Sequence, residues 1–503
     1  MLVRGVRAGF AIAACVAACA LWVAPSGQAH PEECLTGAAT WTTVAGFDEE
    51  KFLTDGTDGT CLPAAVAANY DDSGAKLEVG QTGTKNLKLL ANLPKTGSLA
   101  GEANFNSDLA FKGDLAFQGN YNGFQVTDIS DPENPQIVSQ VLCPGSQNDI
   151  SVWQDLLFLS TDSSRSDNSC QSTALPATEK AAWEGIKVFD IADPSNPRYV
   201  AAVETKCGSH THTLVPDGDR ALLYVSSYGP NATFPDCQPP HDLISVVEVP
   251  LDAPQDASLL REDVLFPDGG YDGSNNYTRA TSGCHDITVY PALDIAAGAC
   301  MGEGVIMDIS NPEDPEVLSS IFDPNFAFWH SATISHDGSK VLFTDERGGG
   351  SGAECNPTVG PNKGADAIYD ITDRENPRFL SYWKMPRAQA NSENCVAHNG
   401  NLLPTRDRDV MVQAWYQGGV SVIDWTDGTD VKELAWFDRG PYADRVPPGP
   451  LAGSWSSYWY NGKIYSNEIQ RGFDVLNLTG PARANTGGKL PYLNAQTQEP
   501  LRK

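Results

Sequence analysis

The chain holds only eight histidines in 503 residues, yet four of them open the same kind of string. These are "HTHTLVPDG" from His210, "HDITVYP" from His285, "HSATISHDG" from His330 and "HNGNLLP" from His398. His210 and His330 each lie seven residues before the aspartate of an Asp-Gly turn, and His285 and His398 align to the same place. In three related strings the slot holds Ser107, Asn148 and Trp455 instead. A neutral imidazole offers one lone-pair nitrogen, suited to zinc, copper, iron or nickel. Four of them at one level of one structure form a metal-ligand set. A single histidine is more often a hydrogen-bonded structural residue, so the argument rests on the shared slot. His212, two residues beyond His210, points to the same side of its strand and is expected as a fifth ligand or a supporting partner. With no CxxC motif to supply thiolates, copper is the favoured ion and zinc the second. Three ligating histidines with an open position suit metal-assisted hydrolysis, and four around a redox ion suit oxidation.

The strand after each histidine string turns back antiparallel, so its far end returns to the same rim. "TDERGGG" brings Asp345 and Glu346 there, "SNEIQRG" brings Glu468, and "AWYQGG" brings Tyr416. Carboxylates and a phenol beside a metal can orient ligands or move protons, which makes these four the catalytic candidates. The plainer reading of each carboxylate is an ion pair with a nearby arginine such as Arg347 or Arg471.

The elements that must position these groups form a repeat. "VTDISDPENPQIV" at 126 returns as "VFDIADPSNPRYV" at 188, "IMDISNPEDPEVL" at 306 and "IYDITDRENPRFL" at 368, with weaker copies at 246, 422 and 473. Each is an apolar strand, an Asp-Pro turn and a second apolar strand, with a further strand pair upstream. Seven units of four short strands, without helical periodicity, predict an all-β, seven-bladed β-propeller whose first strands line a central channel. The "DISDPxNP" strings resemble the LVIVD-repeat family of secreted propellers over about 105–480, a resemblance that implies fold far more than activity. Propellers with histidine rings are similar in principle to methanethiol oxidase and nitrous-oxide reductase, without a motif match to either.

Boundaries follow from composition. Residues 1–29 read as a signal peptide, with Arg4 and Arg7 before an apolar run. A lipid anchor through Cys19 is disfavoured by the apolar residues that follow it. Residues 30–100 form a short extension bearing Cys34 and Cys61, 101–480 the propeller, and 481–503 a polar tail looping over the surface. The ten cysteines after the signal read as disulfides paired in sequence order. A formal charge of −30 excludes nucleic acid as a partner, and no later stretch is long and apolar enough to span a membrane. The expectation is a secreted, metal-dependent oxidoreductase acting on a small molecule or glycan at the channel mouth. Its rivals are a hydrolase, or an extracellular scaffold whose loops hold a cell-surface protein or glycan.

Overall fold

Proline and aspartate chemistry sets the local turns. In the clearest repeat Asn134 N–H donates to the Asp131 carbonyl at 3.0 Å while the Asp128 carboxylate accepts from Ser130 N–H at 2.8 Å. The same pairings recur at Asp190 and Asp193, at Asp308 and Asn311, and at Asp370 and Asp373. In the third and seventh copies Pro250 and Asn477 stand where the others have aspartate, two or three residues beyond the acids Glu248 and Asp474 that the sequence pattern suggests.

The computed structural model describes residues 81–442, 451–483 and 489–500, with short strands at 52–54 and 61–63. Seven antiparallel sheets of four or five strands follow one another along the chain. The first strands of blades 1 to 7 are Asn106–Lys112, Ile150–Trp153, Thr211–Asp217, Asp286–Tyr290, Trp329–Ile334, Gly400–Leu402 and Ser454–Tyr460. Each touches the first strand of the next blade, and the seventh touches the first, so the ring is closed. Apolar residues alternate to both faces of every blade, and the core is accordingly divided among the blade–blade interfaces. Phe117 packs with Leu157 between blades 1 and 2, and Trp329 with Ile295 between blades 4 and 5. Phe111 with Tyr458 seals blade 7 onto blade 1.

Both chain ends join the ring. Leu87–Leu93 is the outermost strand of blade 7, and Thr82–Gly83 adds a fifth strand to blade 6. The sequence pattern places these residues in an extension; Leu87–Leu93 instead supplies the fourth strand that the described residues after Leu478 do not provide for blade 7. The tail lies along one face of the propeller, where it crosses the ends of the inner strands. Tyr492–Asn494 pairs with the first strand of blade 1, and Val289 N–H of blade 4 donates to the Gln496 carbonyl at 2.8 Å.

Four disulfides, Cys143–Cys170, Cys207–Cys237, Cys284–Cys300 and Cys355–Cys395, pair in sequence order. They lie within the propeller, not in an extension, and they fit an oxidising extracellular or periplasmic compartment. Cys34, and with it the fifth expected bridge, lies outside the described residues, as does the signal segment 1–29. Among the described residues no helix is long and apolar enough to cross a membrane.

Candidate metal centre

The four slot histidines sit at the same end of four adjacent inner strands. His210, His285 and His398 donate backbone N–H to Ser226, Ala299 and Ala414 of their own second strands, which places them equivalently. Their rings meet in series: the centroids of His210 and His285 are 4.4 Å apart, His285 and His330 3.9 Å, and His330 and His398 4.3 Å. All four are buried, His330 and His398 to 1% exposure.

Each ring is anchored through Nδ1. His398 Nδ1–H donates to the Trp455 carbonyl at 2.5 Å, and His210 Nδ1–H to the Asp162 carboxylate at 2.8 Å. His285 Nδ1 faces Asp286 Oδ1 at 3.1 Å, and His330 Nδ1 the Thr344 hydroxyl at 3.5 Å. A carbonyl only accepts, so the His398 proton is on Nδ1 and Nε2 carries the lone pair. Anchoring one nitrogen to fix the other is how proteins orient imidazole ligands.

The free nitrogens converge. His210 Nε2 and His285 Nε2 are 2.9 Å apart, a distance at which two lone pairs repel unless a proton or a cation lies between them. Glu346 completes the group: its Oε2 is 3.9 Å from His330 Nε2 and its Oε1 3.6 Å from His398 Nε2. Ligand atoms of His285, His330 and Glu346 all lie within 4.8 Å of one another, a set that could hold a metal ion. Glu346 Oε1 also accepts from the Tyr416 hydroxyl at 2.6 Å. Tyr416 has φ 53°, a left-handed backbone uncommon for a tyrosine. A Cβ at Gly350 would come within 2.3 Å of its hydroxyl oxygen, so the glycine run seats the phenol.

The electrostatics favour neutral ligands. Burial, and next the neighbouring imidazoles, holds His285 and His330 well below the usual histidine value, and burial holds His398 at about 4. His210 is the exception: burial opposes its charge, but the hydrogen bond and charge of Asp162 prevail and raise it. Burial pushes Glu346 up to about 7, partly offset by the Tyr416 hydrogen bond. Beside the ring on the channel axis lies a cavity of about 10 Å³, bordered by Asp108, Asp149, His285, His330 and His398, roughly the room one water needs.

Of the nine residues expected at the site, six are thus brought together. The other three are used elsewhere. His212 lies deeper in the channel, its Nδ1 on Ser160 at 2.8 Å and its Nε2 on Ser151 at 2.7 Å, with both nitrogens occupied. Asp345 accepts from the Ala327 and Phe328 amides at 2.9 Å and from Gly364 at 2.7 Å, clamping loop backbone. Glu468 does the same for Gly453 and Gln470 at 2.8 Å and pairs with Arg471. Strand geometry explains the division, because adjacent residues face opposite sides: Asp345 and Glu346 diverge, as do Trp415, packed on Trp383, and Tyr416. The sequence reading did not pick Asp286, although "HD" places it beside His285. It places Tyr228 at this rim but passes over Tyr121 and Phe328, which complete an aromatic wall around the mouth.

Residues 103–143, the end of the preceding loop and all of blade 1, match the LVIVD repeat. The chain carries an LVIVD repeat within a seven-bladed propeller. No curated protein matches it. Among solved structures, hydrazine synthase from Kuenenia stuttgartiensis aligns at 11% identity and TM-score 0.45, over 73% of this chain and 93% of that one. The designed protein Ika8 aligns at 12% and 0.43, over 78% and 100%. A functionally unknown protein from Desulfotomaculum acetoxidans aligns at 11% and 0.43, over 72% and 93%. Likeness this distant carries no functional argument.

Proposed function

We propose that this protein is an exported metalloenzyme, an oxidoreductase using a divalent transition metal held by His285, His330 and Glu346, with His398 and His210 completing the set. One observation carries the reading: buried His285, His330 and Glu346 bring ligand atoms within 4.8 Å of one another, with the rings of His210 and His398 packed beside them. An imidazole-rich set with one oxygen and no thiolate supports copper first and zinc second. The ion would supply Lewis-acid or redox chemistry to a bound substrate. The chain's own groups supply the rest. Asp162, Asp286 and the Trp455 carbonyl fix the rings, Tyr416 fixes Glu346, and the aromatic wall shields the mouth from bulk water. The substrate is a small molecule or a glycan entering over Tyr121 and Tyr228. A zinc hydrolase is the second reading, supported by a Glu346 carboxyl near 7, placed to take or return a proton at neutral pH.

Elemental analysis of the secreted protein decides it, beside a His285→Ala/His330→Ala/His398→Ala variant. We expect one copper or zinc per wild-type chain, lost in a variant that keeps its strand-rich circular dichroism. A wild-type chain that takes up no stoichiometric copper or zinc after reconstitution overturns the reading and leaves the binding scaffold.

A further inference from the structure

A cleft of about 390 Å³ opens beside His210, between the insertions of blades 2 and 3. Asp162, Glu184, Glu204 and Asp236 face it together with the rings of Tyr228 and Phe234. The Cys207–Cys237 bridge forms part of its wall, so the shape is held in advance of any ligand.

Its charges are poorly compensated. Lys180 pairs with Asp236 at the exposed lip, while Lys206 pairs with Glu262 at 3.5 Å. Asp162 serves His210. Glu184 takes the Ser164 hydroxyl on Oε1, and its Oε2 overlies Gly208, which is in a left-handed conformation at φ +72°. Glu184 forms no ion pair with a lysine or arginine among the described residues, and Glu204 is reached by Lys180 through its charge, without a close ion pair. Burial, opposed by the Ser164 bond and reinforced by Asp162 and Asp236, raises the Glu184 carboxyl. A concave wall with four carboxylates and one nearby lysine draws cations in. These oxygens are too dispersed to chelate a bare ion, since the one close group of potential ligands among the described residues is that of the histidine ring. The volume is that of a small organic ligand, and aromatic faces add cation–π attraction.

We propose that this cleft binds an organic ammonium ion, its charged head between Glu184 and Glu204 and its apolar body against Tyr228. This goes beyond the metal reading and does not depend on it. The test is calorimetric titration of the chelator-treated protein with benzylamine, benzyl alcohol and benzoate at low salt. Benzylamine should saturate with Kd below about 1 mM and weaken as salt rises, while the neutral and anionic analogues do not bind. A Glu184→Gln/Glu204→Gln variant should lose affinity about tenfold or more, with melting temperature and metal content unchanged. Equal binding of the amine and the alcohol, no saturation by the amine, or a variant that binds as wild type each overturns the proposal. Metal content, measured on the same samples, rises or falls with the metalloenzyme reading alone.

Discussion

The two ends of the central channel are finished differently. At the far end the tail satisfies the inner strands group by group: Asn494 bonds Val152 N–H and C=O at 2.8 and 2.9 Å, and Gln498 bonds those of Ile334 at 2.7 and 2.8 Å. The Thr497 hydroxyl donates to the Leu214 carbonyl at 2.6 Å. At the histidine end four buried imidazoles crowd the Glu346 carboxylate, and two of their Nε2 atoms lie 2.9 Å apart, close enough to share a proton. Folding energy alone favours the first arrangement, since burying ionisable groups together is costly. A buried carboxylate crowded by imidazoles is better explained by what binds there than by stability.

Deleting residues 489–503 should break the closed end. It strips the tail's hydrogen bonds from five inner strands and should cost about 3 kcal/mol or more, read as a lower urea midpoint. Metal content of the surviving folded fraction should be unchanged. A deletion that leaves the midpoint where it was would show that the tail merely rests on the channel. At the open end the supporting groups should matter for binding instead. Asp162→Asn and Tyr416→Phe should each weaken metal affinity about 10- to 100-fold with little change in stability, measured by competition with a chelator. Equal metal affinity in both variants would leave the anchoring argument without support.

A further test uses a histidine outside the ring. His241 is buried with Nε2 on Ser227 at 2.9 Å and Nδ1 unpaired, and burial holds it at about 4. Its folded value lies below the unfolded value of about 6.5, so the unfolded chain binds the extra proton between the two. Stability should therefore fall as pH drops from about 6.5 toward 4, by at most about 1.4 kcal/mol per pH unit. His241→Asn should flatten that part of the profile in thermal melts, and an unaltered profile would assign the acid sensitivity to other groups.

Much of the site was legible because repetition supplies a ruler. Aligning the strings against the Asp-Gly turn put His210, His285, His330 and His398 in one slot, and period-two geometry sent the ends of the second strands back to them. The ruler fails at single-residue resolution. A register shift between Trp329 and Ala332 in blade 5, and another between Ser454 and Ser456 in blade 7, decide which side chains face the ring. Glu346 and Asp345 are neighbours of the same charge, so composition could not choose between them. His212 satisfies the same parity as His210 but lies one layer deeper, where serines take up both its nitrogens.

By itself, the sequence determined the blade. Alternating apolar residues, proline-fixed turns and aspartate caps are local, and they repeat often enough to close a ring. The tertiary structure alone decided how the ring is shut and what the histidines meet. Leu87–Leu93 pairs with a strand more than 370 residues away, and "YLNAQTQ" crosses blades it resembles in no way, because backbone hydrogen bonding carries no sequence label. The convergence of Nε2 atoms depends on Asp162, Glu346 and Trp455, each on a different blade, and only closure of the ring brings them within reach.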